Sequence, residues 1–426
     1  MNNNVLLVSY YWPPSGGAGV QRPLKFAKYL PAFDVQPFVL TVENPTYPIV
    51  DESLANDIPK KLKVFKSKTI EPFSIYSKMT GKSVSDSAKP TIQLKKGNWG
   101  KKLSTWIRAN LFLPDARFGW LLTARSRALA ICKQYNIDAI ITTGPPHSVH
   151  FVGKHVKEKM GIQWIADFRD PWSSIFYNQL MPRTDVAHSI DERLERSVLE
   201  TADDVVVISK SMVDIERQVF DRPYHVIPNG FDHEDFNSLQ KKPQNDQDIL
   251  IRHIGSIGEL SVPHSLFKAL SELPNSSPVK VEFIGNVHPD VHQLIEQYGL
   301  QNRVELTSYI PHDEAIQAMK DSDLLLLVIP DSEDNELILT GKLFEYIGTQ
   351  NPILMIGPEN GDAADILNKS GHHYIFEHED EKGLAQLLLD LSSGKVDQKT
   401  ASDIKDLKNH PFSRYKLTGQ LSQIIN

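Results

Sequence analysis

Several short stretches of this 426-residue chain gather residue types able to bind an anion or move a proton. The first is Tyr10-Tyr11-Trp12-Pro13-Pro14-Ser15-Gly16-Gly17-Ala18-Gly19, running into a helix at about Arg22. Gly16, Gly17 and Gly19 would let backbone amides close on a phosphate or an acceptor, with the helix start and Arg22 adding positive charge. A dinucleotide fingerprint fits this loop poorly, because Arg22 stands at the third glycine position and Trp-Pro-Pro lengthens the turn. A plain strand-to-helix turn is the other alternative. Two further blocks follow short apolar runs: Thr142-Thr143-Gly144-Pro145-Pro146-His147-Ser148-Val149-His150 and Asp167-Phe168-Arg169-Asp170-Pro171-Trp172. Asp167, Asp170 and His147 are the candidates for orienting an acceptor hydroxyl or receiving its proton, with Arg169 beside them. The competing readings are an ion-pair network for the Asp/Arg block and a satisfied or solvated side chain for each histidine.

In the second half, Gly255 and Ser256 follow an apolar run and would present amides at its end. Most weight falls on Thr340-Gly341-Lys342-Leu343-Phe344-Glu345-Tyr346. Gly341 opens a helix whose N-terminus suits a phosphate, and Lys342 adds a cation. Glu345 lies one turn further on, where a carboxylate reaches two ribose hydroxyls while the amides hold a diphosphate. The alternative for Glu345 is a solvated helix face. Val226-Ile227-Pro228-Asn229-Gly230-Phe231-Asp232 reads as a domain-joining turn rather than a ligand contact. Asp321-Ser322-Asp323 spells the DxD sequence of metal-dependent transferases, but it precedes a buried strand and is read as a turn.

The elements that must position these residues alternate strand and helix twice over. Strands are expected over residues 5–9, 36–42, 139–143, 163–166 and 204–208, with helices over 23–30, 124–134 and 190–200. After a hinge at 221–248 the pattern restarts. Its strands are expected over 249–254, 279–284, 303–306, 324–329, 352–356 and 373–376. Its helices are expected over 265–273, 289–298, 313–320, 341–348 and 381–392. The fold class is therefore α/β, with two Rossmann-like, doubly wound parallel sheets facing across a cleft that can hold two substrates at strand carboxyl ends. The expected divisions are a first domain over 1–223 whose loops suit an acceptor, a second over 224–405 whose Gly341–Glu345 tract suits a nucleoside diphosphate, and a terminal helix over 406–426.

Composition agrees with a globular two-domain protein, at 40% apolar and 23% charged residues. The single cysteine, Cys132, rules out an intrachain disulfide and a cysteine-based zinc site. No signal sequence or long apolar run is evident, so a cytoplasmic protein is expected. The net charge of −7 conceals a basic stretch over 60–120, with fourteen Lys/Arg against three Asp/Glu. There Lys95, Lys96, Lys101, Lys102 and Arg108 interleave with Trp99, Trp106, Leu111 and Phe112. Such a segment suits an anionic membrane surface at its inner face; a solvated insertion is the alternative. It carries no nucleic-acid motif.

In this order the pieces resemble the retaining GT-B enzymes of glycosyltransferase family 4. The likeness is closest to the branch that builds bacterial capsule, O-antigen and exopolysaccharide. It rests on the PP-S-GG-G-R opening, the DFRD-W block, the PNG-D turn and the Lys342–Tyr346 tract, and it includes Phe412-Ser413-Arg414 and the last helix. The resemblance implies that this helix crosses back to the first domain. It implies that Glu345 binds the donor ribose and that Gly16 and Gly17 line the cleft near donor phosphates and acceptor. Transfer would proceed with retention and without a metal or other cofactor. The partners implied are a nucleotide-diphosphate sugar and a glycan or polyprenyl-linked acceptor. Glu336 stands one place from the position of the family's first glutamate. The usual Arg and Lys after the first strand of the second domain are absent, with Ser256 where the Arg is expected, so neutralising the diphosphate falls to Lys342, to helix N-termini or to another basic residue. A UDP-sugar epimerase of the same shape and a non-catalytic nucleotide-sugar-binding scaffold are the two other functions carried forward.

Overall fold

The computed structural model describes residues 3–43, 50–70, 105–107, 109–174, 181–237, 239–242, 248–371, 373–395 and 406–425. Lys95, Lys96, Trp99, Lys101, Lys102 and Arg108 lie outside them. The chain forms two compact units, Met1–Pro228 with Arg414–Asn426, and Asn229–Ser413.

The first unit is built on a seven-stranded sheet in the order β3-β2-β1-β4-β5-β6-β7. Its strands are β1 (Asn3–Val8), β2 (Val35–Glu43), β3 (Lys63–Lys68), β4 (Ala139–Gly144), β5 (Gln163–Phe168), β6 (Asp204–Val207) and β7 (His225–Val226), all paired in parallel. The helices are α1 (Ala18–Tyr29), α2 (Leu121–Tyr135), α3 (His150–Met160), α4 (Asp185–Thr201) and α5 (Lys210–Val219). Strand order reverses between β1 and β4, which puts the loops after these strands at the switch point where such sheets bind ligands. Lys63–Lys68 lies inside the stretch expected as an insertion, yet it is the edge strand β3. Its exposed lysines blunt that edge against pairing with another chain.

α1 begins earlier than the sequence suggested. Pro23, taken as a helix start, lies inside it. A proline in that place has no N–H to give to the carbonyl four residues back, which is that of Gly19. The Arg169 guanidinium donates to the Gly19 carbonyl instead, so the helix runs through the proline with its acceptor satisfied.

The second unit is a six-stranded parallel sheet in the order β10-β9-β8-β11-β12-β13. These are β8 (Ile249–Ile254), β9 (Val279–Ile284), β10 (Val304–Thr307), β11 (Leu324–Val328), β12 (Ile353–Ile356) and β13 (His373–Phe376). The helices α6 (His264–Ser271), α7 (Pro289–Gln297) and α11 (Glu381–Ser392) cover one face; α8 (His312–Asp321), α9 (Gly341–Thr349) and α10 (Asp362–Asn368) cover the other. β11 shows why the strand is apolar throughout. Leu324, Leu326 and Val328 enter one core with Leu266 and Phe267, while Leu325 and Leu327 enter the other with Leu343 and Phe344.

The last helix, α12 (Arg414–Ser422), returns to the first unit. Leu417, Leu421 and Ile425 are buried in the same core as Val20 and Leu24 of α1. Tyr415 packs edge-on to Tyr29, with ring centroids 5.7 Å apart. The architecture is therefore two doubly wound parallel-sheet units with a terminal helix on the first.

Candidate functional site

Each unit brings its candidate residues to the carboxyl ends of its central strands. In the first unit Asp167, inside the end of β5, is fully buried against Arg22 of α1. Arg22 reaches it through Nε (3.0 and 3.1 Å) and Nη2 (2.7 Å), and Thr143 Oγ1 donates to it at 2.8 Å. The same guanidinium donates to the carbonyls of Ile227 and Pro228 at 2.9 and 2.8 Å. Burying both charges is tolerable because nearly every donor and acceptor is matched. The pair ties α1, β4, β5 and the Pro-Asn-Gly turn together. Asp167, expected as a proton acceptor, serves as a strut here, because its carboxylate is enclosed and its lone pairs are taken. Arg22, expected at the phosphate loop, is turned inward with it.

Arg169 is likewise absorbed by the backbone. It donates to the carbonyls of Gly144 (3.0 Å), Pro145 and Gly19. A Cβ at Gly19 would stand 3.0 Å from its Nη1, a tight approach that glycine relieves. Asp170 differs from its neighbours. It is half-buried and has no hydrogen-bond partner among the described residues, and burial raises its pKa to about 6 against the pull of Arg169. A carboxyl so poised can accept a proton near neutral pH.

His147 and His150 fill the space between β4 and the Arg169–Trp172 turn. The His147 ring stacks on Trp172 at 4.9 Å, and His150 stacks on Phe168 at 4.5 Å. Burial, with the like charges of His150 and Arg169, presses the His147 pKa well below the ordinary imidazole value. His150 is lowered to about 3, mainly by burial. Both rings are thus neutral at pH 7. His150 Nδ1 bonds Thr142 Oγ1 at 2.9 Å, and that oxygen accepts from Trp164 Nε1 at 2.9 Å. Gly16 and Gly17 lie just before α1, Gly17 exposed as its N-cap.

In the second unit the Lys342 side chain crosses from α9 to the end of β8. Its Nζ lies 3.1 Å from His253 Nε2 and 3.3 Å from the Ser256 carbonyl. Gly255 makes the crossing possible. It has φ of +125°, and a Cβ there would stand 2.3 Å from Lys342 Cε. Burial lowers the Lys342 pKa to about 8, with Glu345 opposing the shift. Gly341 opens α9, and the N-cap Thr340 makes no side-chain cap bond, so the first-turn amides have no capping side chain. Glu345 is half-buried on the next turn. Tyr346 holds the helix to β8, its hydroxyl accepting from the Ile254 N–H at 3.0 Å.

The structure thus gathers Lys342, Gly341, Gly255 and Ser256, with Glu345 on the following turn. Glu336 is exposed on a separate short turn, its backbone against Gly361. His253 was not singled out from sequence. The only signal was a histidine near the end of an otherwise apolar strand. Asp321 and Asp323 act at the other end of that sheet, where Asp323 accepts from the Leu250 N–H (2.9 Å) and pairs with Lys241.

Comparison with known proteins agrees with this geometry. Residues 94–235, a third of the chain, match the model of Glycosyltransferase Family 4. No curated protein matches the sequence. Among solved structures, HepE of Anabaena in complex with UDP is 14% identical, with 99% of both chains covered and a TM-score of 0.64. Sucrose-phosphate synthase of Thermosynechococcus elongatus is 14% identical over 99% of this chain and 98% of its own, with a TM-score of 0.63. A glycosyltransferase of Rickettsia africae is 15% identical over 100% and 98%, with a TM-score of 0.60. Over residues 94–235 the chain resembles Glycosyltransferase Family 4, and over nearly its whole length it shares the fold of these solved structures.

Proposed function

We propose that this protein is a retaining glycosyltransferase that moves a sugar from a nucleotide-diphosphate sugar to a lipid-linked glycan acceptor in surface-polysaccharide assembly. The observation that carries the reading is the Lys342 ammonium at the end of β8, beside the uncapped start of α9 and one turn before Glu345. That set matches a nucleoside diphosphate: cation and helix amides for the phosphates, carboxylate for the ribose. It supplies positive charge where the family's usual Arg and Lys are missing. HepE has been crystallised with UDP and with UDP-glucose, which supports a uridine nucleotide as the first donor to try.

In the proposed reaction the acceptor oxygen bonds to the anomeric carbon on the face from which the diphosphate leaves. The carbon–oxygen bond to the diphosphate breaks, and Lys342 and the α9 amides stabilise the charge released. Asp170 takes the hydroxyl proton, and no metal is required. His147, neutral and buried, contributes a hydrogen bond to the sugar or the acceptor. Exposed Ile70, Trp106 and Leu111, which fall with the exposed lysines of β3 in the basic stretch 60–120, support contact with a membrane carrying the acceptor.

Incubation with radiolabelled UDP-sugars, with and without a lipid extract, tests the reading. Label passing into the lipid phase with release of UDP supports transfer. An epimerised sugar formed from donor alone would replace it with the epimerase, and binding without turnover would favour a scaffold.

A further inference from the structure

We propose that His253 is the positioning residue for Lys342, holding its ammonium at the Gly255–Ser256 turn with one N–H directed to a phosphoryl oxygen. The inference rests on the donor reading above and concerns a residue to which that reading gives no role. His253 lies within β8 and is 1% exposed. Its Nδ1 is 2.9 Å from the Leu326 carbonyl on the neighbouring β11. A carbonyl only accepts, so Nδ1 carries the proton and Nε2 presents a lone pair. That lone pair faces Lys342 Nζ at 3.1 Å.

The arrangement is fixed against changes of charge. Burial, reinforced by the Lys342 ammonium, lowers His253 to about 3, so the ring stays a neutral acceptor throughout the physiological range. The titratable groups facing Lys342 are His253 from β8 and Glu345 from its own helix. Two of the three ammonium N–H groups go to neutral acceptors, His253 Nε2 and the Ser256 carbonyl; the third has no acceptor among the described residues. Neutral partners orient a cation without cancelling its charge, whereas a carboxylate partner would cancel it. Gly255 adds a second constraint, since any side chain there would displace the lysine stem. A phosphate arriving at this ammonium favours its charged form, so diphosphate binding is coupled to the lysine proton.

Calorimetric titration with UDP, pyrophosphate and uridine at pH 7.0 and 9.0 tests this on wild type, Lys342→Met, His253→Leu and His253→Gln. In wild type, affinity for UDP and pyrophosphate should fall about tenfold between the two values, while uridine shows no such step. His253→Leu should weaken UDP about five- to tenfold at pH 7.0, and His253→Gln, which restores an acceptor near Nε2, should recover most of that loss. Lysine Cε resonances, assigned with Lys342→Arg, report the Lys342 titration without any ligand and should move to lower pH in His253→Leu. An unchanged Lys342 titration and unchanged UDP affinity in His253→Leu, with Lys342→Met impaired, overturn the inference and leave the donor reading standing. Failure of wild type to bind UDP or pyrophosphate overturns both. Should His253→Leu not fold, the Lys342 titration in His253→Gln decides alone: an upward shift of a pH unit or more, as for a lysine freed from its buried site, overturns the inference.

Discussion

The two units treat their cations differently. In the first, Arg22 is locked onto Asp167 and two backbone carbonyls, and Arg169 onto three carbonyls. Both guanidiniums act as cross-braces between helix and strands. In the second, Lys342 hydrogen-bonds an imidazole and a carbonyl, both neutral. A buried arginine with its donors matched stabilises a shape; a half-buried lysine on neutral acceptors, with its pKa lowered to about 8, is suited to an anion. On the proposed reading, the site for phosphate belongs to the second unit. The first unit offers neutral histidines and a carboxyl, groups suited to a sugar or its acceptor.

The largest effect should come from breaking a brace. Arg22→Met leaves the Asp167 carboxylate buried without its partner, and should cost about 3–5 kcal/mol of stability in urea unfolding. A loss below about 1 kcal/mol would show that Asp167 is not a strut. Asp170→Asn should leave stability nearly unchanged but lower turnover at least about a hundredfold. In wild type, the rate should rise as pH passes upward through about 6, where Asp170 loses its proton. A pH-independent rate between 5 and 7 would remove Asp170 from the chemistry. Lys342→Met should weaken nucleoside diphosphate binding by roughly ten- to a hundredfold, with a smaller effect on folding than Arg22→Met, because the hydrogen bonds it loses are to neutral acceptors. The reverse pattern, lost stability with intact binding, would make Lys342 another brace.

The smallest effect expected sharpens the view of the first unit as a structural frame. Glu195 of α4 and Glu216 of α5 are buried facing one another, and their pKa values are raised by burial, Glu195 to about 7. Two carboxyls so placed share a proton. The folded state binds that proton more tightly than the unfolded chain, so stability is highest below the unfolded carboxyl pKa and declines as pH rises towards 7. Glu216→Gln should therefore add about 1–2 kcal/mol at pH 8 and less at pH 5, measured by urea unfolding.

The sequence showed the alternation of elements well where strands are buried on both faces. The runs at 249–254 and 279–284 coincide with β8 and β9, and that at 324–329 covers β11 and one residue more. It hid β3, because an edge strand needs little burial and Lys63-Val64-Phe65-Lys66 lacks the apolar run that marks an inner strand. It misplaced the start of α1, because proline is common at a helix start and only a distant arginine lets it sit inside. That Lys342 and Glu345 stand on the first turns of a helix opened by Gly341 was legible, a local relation. The Arg22–Asp167 brace spans 145 residues, and the His253–Lys342 contact spans 89. Neither separation has a local signature; each arises from how parallel strands are ordered in the sheet.

The most direct measurement is thermal stabilisation of wild type, Lys342→Met and Glu345→Ala by UDP, GDP, ADP and CMP. A nucleotide present at about 100 times its dissociation constant should add roughly 2.7 kcal/mol to wild type. Stabilisation of wild type by one diphosphate, much reduced in both variants, is the expected result. Equal stabilisation of all three proteins, or of none, would contradict a donor site built on Lys342 and Glu345.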